Sequence, residues 1–165
     1  MSAKFNLVYN ARPILALAPA ADAGGRTGLW ATCKYSHKAY IVFNVTQGNA
    51  ATITLSFQQA TSAAGANAKA LSGNLNIWAD QAVSQAAAGD TYTQSASATS
   101  FTTSATLANK SVIFELVPEE VFDITNGFSY FAISTGASNA ANITQASYFM
   151  IPARFEQATA LSALT

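Results

Sequence analysis

Charge is what this sequence has least of. Of its 165 residues only 10% are Asp, Glu, Lys or Arg, against about a quarter in ordinary soluble domains. Eight basic and eight acidic side chains leave a formal net charge of +0, so copies of the chain repel one another weakly. The basic residues Lys4, Arg12, Arg26, Lys34, Lys38 and Lys69 are dispersed rather than clustered, which is not a nucleic-acid footprint. A single cysteine, Cys33, rules out an intramolecular disulfide and a thiolate metal cluster, and reads as a buried, idle thiol. No apolar run approaches the ~18 residues of a membrane helix. Lys4 and the Ala-Pro-Ala-Ala-Asp-Ala stretch at 18–23 have the look of a signal peptide, but Asn10, Arg12 and Pro13 break the run between them. Heptads, internal repeats and a domain break are also missing.

The usual chemistry is equally sparse. The only histidine, His37, follows Ser36, and adjacent residues on an extended chain point apart, so a Ser-His-Asp site would need long-range partners. Glu119 and Glu120 are neighbours, which do not face each other across a cleft as glycosidase carboxylates must; a solvated or capping turn explains them. Zinc has no Cys/His set, and Asp22, Asp80, Asp90 and Asp123 are too scattered for a calcium loop. The glycine-rich Ala23–Gly28 stretch lacks the Gly-Lys-Ser/Thr ending of a phosphate loop and reads as a flexible link. Asn44-Val45-Thr46 and Asn142-Ile143-Thr144 match the glycosylation acceptor pattern, a frequent chance match. No enzyme, metal or cofactor is expected.

What is present is alternation. From Lys38 to Thr46, Ala39, Ile41, Phe43 and Val45 fall on one side; from Ala51 to Gln59, Ile53, Leu55 and Phe57 do. Period-two apolarity is the mark of a strand with one buried face. Gly48-Asn49 between the two arms predicts a tight hairpin turn with positive-φ residues. Each large apolar side chain contributes roughly 1.5–3 kcal/mol when fully buried, and a lone hairpin is unstable, so this face must meet a second sheet. Further strands are expected at Phe5–Tyr9, Leu29–Thr32, Asn74–Asp80, Ser100–Thr106, Lys110–Val117, Phe128–Thr135 and Ile143–Phe155. Both Phe128–Thr135 faces are apolar, which predicts a central or covered strand. A short helix is allowed at Ala66–Leu71, a helical turn at Glu119–Asp123 after Pro118, and a surface loop over 81–100.

Residues 1–28 read as an N-terminal arm, because Pro13, Pro19, Gly24, Gly25 and Gly28 exclude regular structure over most of it. The arm either wraps its own domain or lies on a neighbour, and the neighbour is the favoured reading. Phe5, Leu7, Arg12, Ile14, Leu15, Leu17 and Arg26 are then its candidate interface residues. Residues 29–155 form the domain and 156–165 a C-terminal tail. The fold class is all-β: a two-sheet antiparallel sandwich or jelly roll. Charge is unevenly placed, basic early and acidic late; this is either scattered surface charge or complementarity between copies.

One resemblance carries further. A Pro-containing arm, an Ala-x-x-Gly-Gly segment and a hairpin with a turn glycine are followed by Gln58-Gln59-Ala60-Thr61, Ala68-Lys69-Ala70-Leu71 and Ile77-Trp78. Then come Thr99-Ser100-Phe101-Thr102, Val112-Ile113-Phe114-Glu115-Leu116 and an aromatic strand near the end. Over most of residues 11–155 this resembles the head decoration, or cement, proteins of tailed bacteriophages. The resemblance implies a β-rich, non-enzymatic virion protein on the outer surface of the capsid, often a homotrimer, bound to the major capsid protein and clamping capsomers. It implies no nucleic-acid or membrane partner. Deleting residues 1–20 is expected to leave a folded domain that no longer binds capsids. The alternative function is a carbohydrate-binding sandwich of a phage tail or cell surface, with Trp30, Trp78 or Tyr92 as stacking platforms; a third is an esterase-like enzyme using Ser36 and His37.

Overall fold

The computed structural model describes residues 7–83 and 91–152. After a helical turn, α1 (Leu7–Asn10), come the strands β1 (Arg12–Ala21), β2 (Arg26–Thr27), β3 (Ala31–Thr32), β4 (Ser36–Gln47), β5 (Thr54–Ala60) and β6 (Lys69–Ala70). They are followed by β7 (Leu75–Val83), β8 (Thr93–Ala98), β9 (Ser100–Thr102) and β10 (Asn109–Leu116), a turn of helix α2 (Pro118–Val121), and β11 (Tyr130–Thr135) and β12 (Asn142–Pro152). Two six-stranded antiparallel sheets result. The first runs β1-β12-β4-β10-β7-β8; the second runs β2-β11-β5-β6, with β3 also on β11 and β9 on β5. The fold is the expected all-β sandwich.

The expected 38–59 hairpin is instead an arch. β4 pairs with β10 and β12 in the first sheet, while β5 pairs with β11, β6 and β9 in the second. Alternation identified the buried side of each arm correctly, since Ile41, Phe43, Leu55 and Phe57 are all in the core. It says nothing of the partner strand. In a hairpin the two apolar faces would lie side by side; here the chain crosses between sheets and they face each other. The crossing is held by Asn142, whose Oδ1 accepts from Asn49 N at 2.8 Å and whose Nδ2 donates to Ala51 O at 2.8 Å. Neither Gly48 nor Asn49 has a positive φ. Glycine is needed at 48 for another reason: a Cβ there would sit 2.6 Å from the backbone oxygen of Ala141. Gly48→Ala is expected to lower the unfolding free energy by about 1–3 kcal/mol, as other overpacking does, and an unchanged urea midpoint would count against this close approach.

The N-terminal reading is corrected in two places. Leu7–Asn10 is a helical turn rather than part of a strand; Phe5 lies outside the described residues. Arg12–Ala21, expected to be irregular, is a strand paired to β12 from Arg12↔Met150 to Ala21↔Ile143. Pro13 and Pro19 are tolerated because β1 is an edge among the described residues, where a missing N–H costs no ladder bond, and the register slips at Leu15/Leu17 and Leu17/Ala20. This stretch therefore lies on its own sheet. Deleting residues 1–20 would strip that edge strand, not a detachable arm.

The Ala23–Gly28 link is also ordered. Gly25 has φ +71°, and Gly28 N donates to Ile133 O at 2.8 Å. The possible helix at Ala66–Leu71 is a turn with Asn67 in the left-handed region, followed by β6. The 81–100 stretch is not simply a loop, since β7 runs on to Val83 and β8 follows at Thr93; residues 84–90, like the 153–165 tail, fall outside the described set. Strands shorter than expected include Ala31–Thr32, Ser100–Thr102 and Tyr130–Thr135. β11 is central, flanked by β5 on one side and β2 and β3 on the other. A cross-sheet tie comes from Tyr148, whose buried hydroxyl donates to Leu29 O at 3.0 Å and accepts from Ile133 N at 3.1 Å; burial pushes its phenol pKa up.

Candidate binding face

The side of the first sheet that faces away from the core carries the most unusual surface. The alternation that turns Ile41 and Phe43 inward turns Tyr40 and Val42 outward. Likewise Ile113 points outward between Val112 and Phe114, Trp78 between Ile77 and Ala79, and Phe149 between Tyr148 and Met150. A sheet buried on one side normally shows polar residues on the other. The strand registers line these side chains into two rows across the sheet. One row is Pro13–Phe149–Tyr40–Glu115–Asn76; the next is Leu15–Ser147–Val42–Ile113–Trp78–Gln94. Tyr40, Val42, Trp78, Ile113, Phe149 and Ile151 are half-buried and line a shallow apolar hollow of about 600 Å³. Leu15, at the β1 edge, is 54% exposed.

One ion pair marks the rim. Lys38 Nζ lies 3.0 Å from Glu115 Oε1 and 5.8 Å from the centre of the Tyr40 ring. Partial burial pushes the Glu115 carboxyl up, but hydrogen bonds from Lys38, Tyr40 and Asn76 outweigh it and hold the group below its ordinary pKa. Glu115 in turn raises Lys38. The Tyr40 phenol is raised, first by burial and then by Glu115. At neutral pH the pair is therefore fully charged and internally neutral, leaving an apolar surface with one compensated charge pair.

The residues singled out in the sequence are distributed differently. Leu7 is exposed on α1, and Leu15 joins the outer face. Ile14 packs partly against the core and Leu17 is buried in it. Arg12 opens β1 opposite Met150. Arg26 is committed internally: Nε donates to Asp22 at 2.9 Å, and the two terminal nitrogens to Ala18 O and Thr144 O at 2.8 and 2.6 Å. Sequence reasoning missed Tyr40, Val42, Ile113, Phe149 and Ile151 as a group. The available signal was apolar residues at both parities of one strand, as in Val112-Ile113-Phe114 and Tyr148-Phe149-Met150.

Other polar groups serve the fold. Trp30 packs at the 62–66 turn, where a Cβ on Gly65 would sit 2.7 Å from Trp30 Nε1. Tyr92 donates to Ser111 Oγ at 2.8 Å. His37 Nδ1 is 2.9 Å from Pro152 O, while burial pushes the Cys33 thiol pKa up. Lys110 is buried with Nζ on Ser104 O and Oγ at 2.5 and 2.8 Å, and burial lowers its pKa. The early basic and late acidic residues meet inside one molecule, through Lys38–Glu115 and through Lys69–Asp123 at 2.5 Å. Among the described residues no three His, Cys, Asp or Glu side chains gather as a metal site, and no helix is long and apolar enough to cross a membrane.

No family model and no curated protein matches this chain. Among solved structures it is similar to the SPBc2 prophage-derived protein YomS, at 11% identity and a TM-score of 0.44 over 85% of this chain and 92% of that one.

Proposed function

We propose that this chain is a non-enzymatic structural protein of a phage particle, which coats the outer surface of the capsid and joins neighbouring capsomers by burying the outer face of its first sheet. The observation that carries this reading is the half-exposed aromatic and aliphatic surface around Tyr40, Val42, Ile113, Trp78 and Phe149. Apolar area of this kind gains free energy when covered, and a stable contact needs about 800 Å² on each partner. The low charge of the chain suits a surface meant to be covered rather than kept apart, and the resemblance to head decoration proteins supplies the partners: the major capsid protein and copies of the chain itself.

The test is co-sedimentation with capsid shells that lack this protein. Trp78→Ser and Phe149→Ser should each weaken binding by about 30-fold if these rings are central anchors. Because both point away from the core, their urea midpoints should stay close to that of the parent. Undiminished binding by both variants would remove the face from the contact. A parent protein that ignores the shells would remove the capsid role.

A second reading has its own observation. Trp78 is turned outward beside polar Asn76 and Gln94, an arrangement on which a sugar ring can stack. A glycan-array signal abolished by Trp78→Ala, together with no association with shells, would favour carbohydrate binding over capsid coating.

A further inference from the structure

The two edges of the first sheet are built in opposite ways. β1 carries the devices that blunt an edge: Pro13 and Pro19, which lack an N–H, the charge of Arg12, and two register slips. β8 at the other edge carries no proline and no charge, and its register on β7 slips once, between Leu75 and Ile77. From Thr91 to Asn109 there is no charged residue, no proline and no glycine. Along Thr93–Ala98 every residue is exposed or half-exposed. One side of β8 is paired to β7; among the described residues no strand pairs with the other.

We propose that β8 is a self-pairing edge, through which two copies of this chain join β8 to β8 antiparallel about a two-fold axis. The first sheet would then continue across the axis as a single sheet. Chemistry favours a second copy as the occupant. In a two-fold pair each side chain near the axis meets its own counterpart, so any charge there would repel itself. Thr-Gln-Ser-Ala-Ser-Ala has no charge to repel and only one long side chain. The protected opposite edge decides the size of the assembly. Pairing β8 to β1 of the next copy would build a ring or a filament, but the prolines of β1 interrupt that ladder. Assembly through this edge therefore closes at two. A trimer would have to form through some other surface.

Such a pair widens the candidate face. The row that ends Ile113–Trp78–Gln94 reaches the edge at β8. A two-fold axis perpendicular to the sheet leaves the outer faces of both copies on the same side. Edge pairing thus places two apolar faces together on one surface.

Sedimentation equilibrium of the full chain over a range of concentrations tests this. The parent should be dimeric. Ala96→Lys and Ala96→Glu, near the middle of β8, should each raise the dimer dissociation constant by about five-fold or more, and an equimolar mixture of the two should restore it. Single cysteines at Gln94, Ser95, Ala96 and Ser97 provide a second reading, since Cys33 is buried; at least one should oxidise to a covalent dimer. A monomeric parent overturns the proposal. So does a dimer that neither charge variant weakens, or the absence of cross-linking at all four positions. These results are independent of the Trp78 and Phe149 binding assay, so either reading can fail alone.

Discussion

Asp22→Ala is expected to lower the unfolding free energy by about 3–5 kcal/mol, the cost of stripping one partner from a buried ion pair. The Asp22 side chain has no solvent exposure. Its carboxylate accepts from Arg26 Nε at 2.9 Å, from Thr135 Oγ1 at 2.7 Å, and from Thr144 Oγ1. Its backbone adds further ties: the N–H donates to Asn142 O at 2.9 Å, and the carbonyl accepts from Ser138 N at 2.8 Å. Thr144 is on β12 of the first sheet, whereas Thr135 and Arg26 are on β11 and β2 of the second. One carboxylate therefore joins the two layers at this end of the sandwich. Alanine would leave a guanidinium and two hydroxyls short of an acceptor, which costs more than the pair contributed as a pair. Asp22→Asn keeps the shape without the charge and should lose less. The double variant Asp22→Ala/Arg26→Ala should lose less than the sum of the singles, because they share one network. Urea unfolding followed by circular dichroism reads all of these. A loss below about 1 kcal/mol for Asp22→Ala would place the pair with exposed ion pairs instead.

Phe43→Ala should be comparably damaging, at about 3–5 kcal/mol. Phe43 is fully buried and lies edge-on to two other rings. It meets Phe114 of the neighbouring strand at 5.6 Å between centroids and Phe57 of the opposite sheet at 6.2 Å, with Phe57 and Phe114 themselves 4.8 Å apart. Edge-to-face pairs contribute about 0.5–1.5 kcal/mol beyond burial. A double-mutant cycle on Phe43 and Phe57 should therefore show a favourable coupling of that order across the layers. Zero coupling would contradict direct ring contact between the layers.

The contrast with the outer face shows where sequence reading stops. Phe43 and Phe149 are both phenylalanines inside strongly apolar strands of the same sheet. One is sealed between layers and the other lies on the outer face. Around Phe43 the alternation is clean enough to choose the buried side. Around Phe149 both parities are apolar, and the pattern cannot choose. β8 was missed for the reverse reason: Thr-Gln-Ser-Ala-Ser-Ala offers no apolar alternation, and it becomes a strand because β7 presents a ladder to pair with. β1 was missed because prolines were read as breakers, and only its position at the edge makes them harmless.

Strand content and the buried side of the best strands are properties of the local chain. Successive side chains on an extended backbone point in opposite directions whatever lies nearby, so Ile41-Phe43-Val45 and Val112-Phe114-Leu116 announce themselves. Partnership is a different matter. That β4 turns away from β5 to lie between β10 and β12, that Arg26 serves Asp22 rather than a neighbour, and that Trp78 stands beside Ile113 and Val42 on an outward face all depend on contacts between residues far apart in the chain. Those contacts exist only once two sheets have closed over one core, because closure is what assigns each strand a neighbour and each face a side.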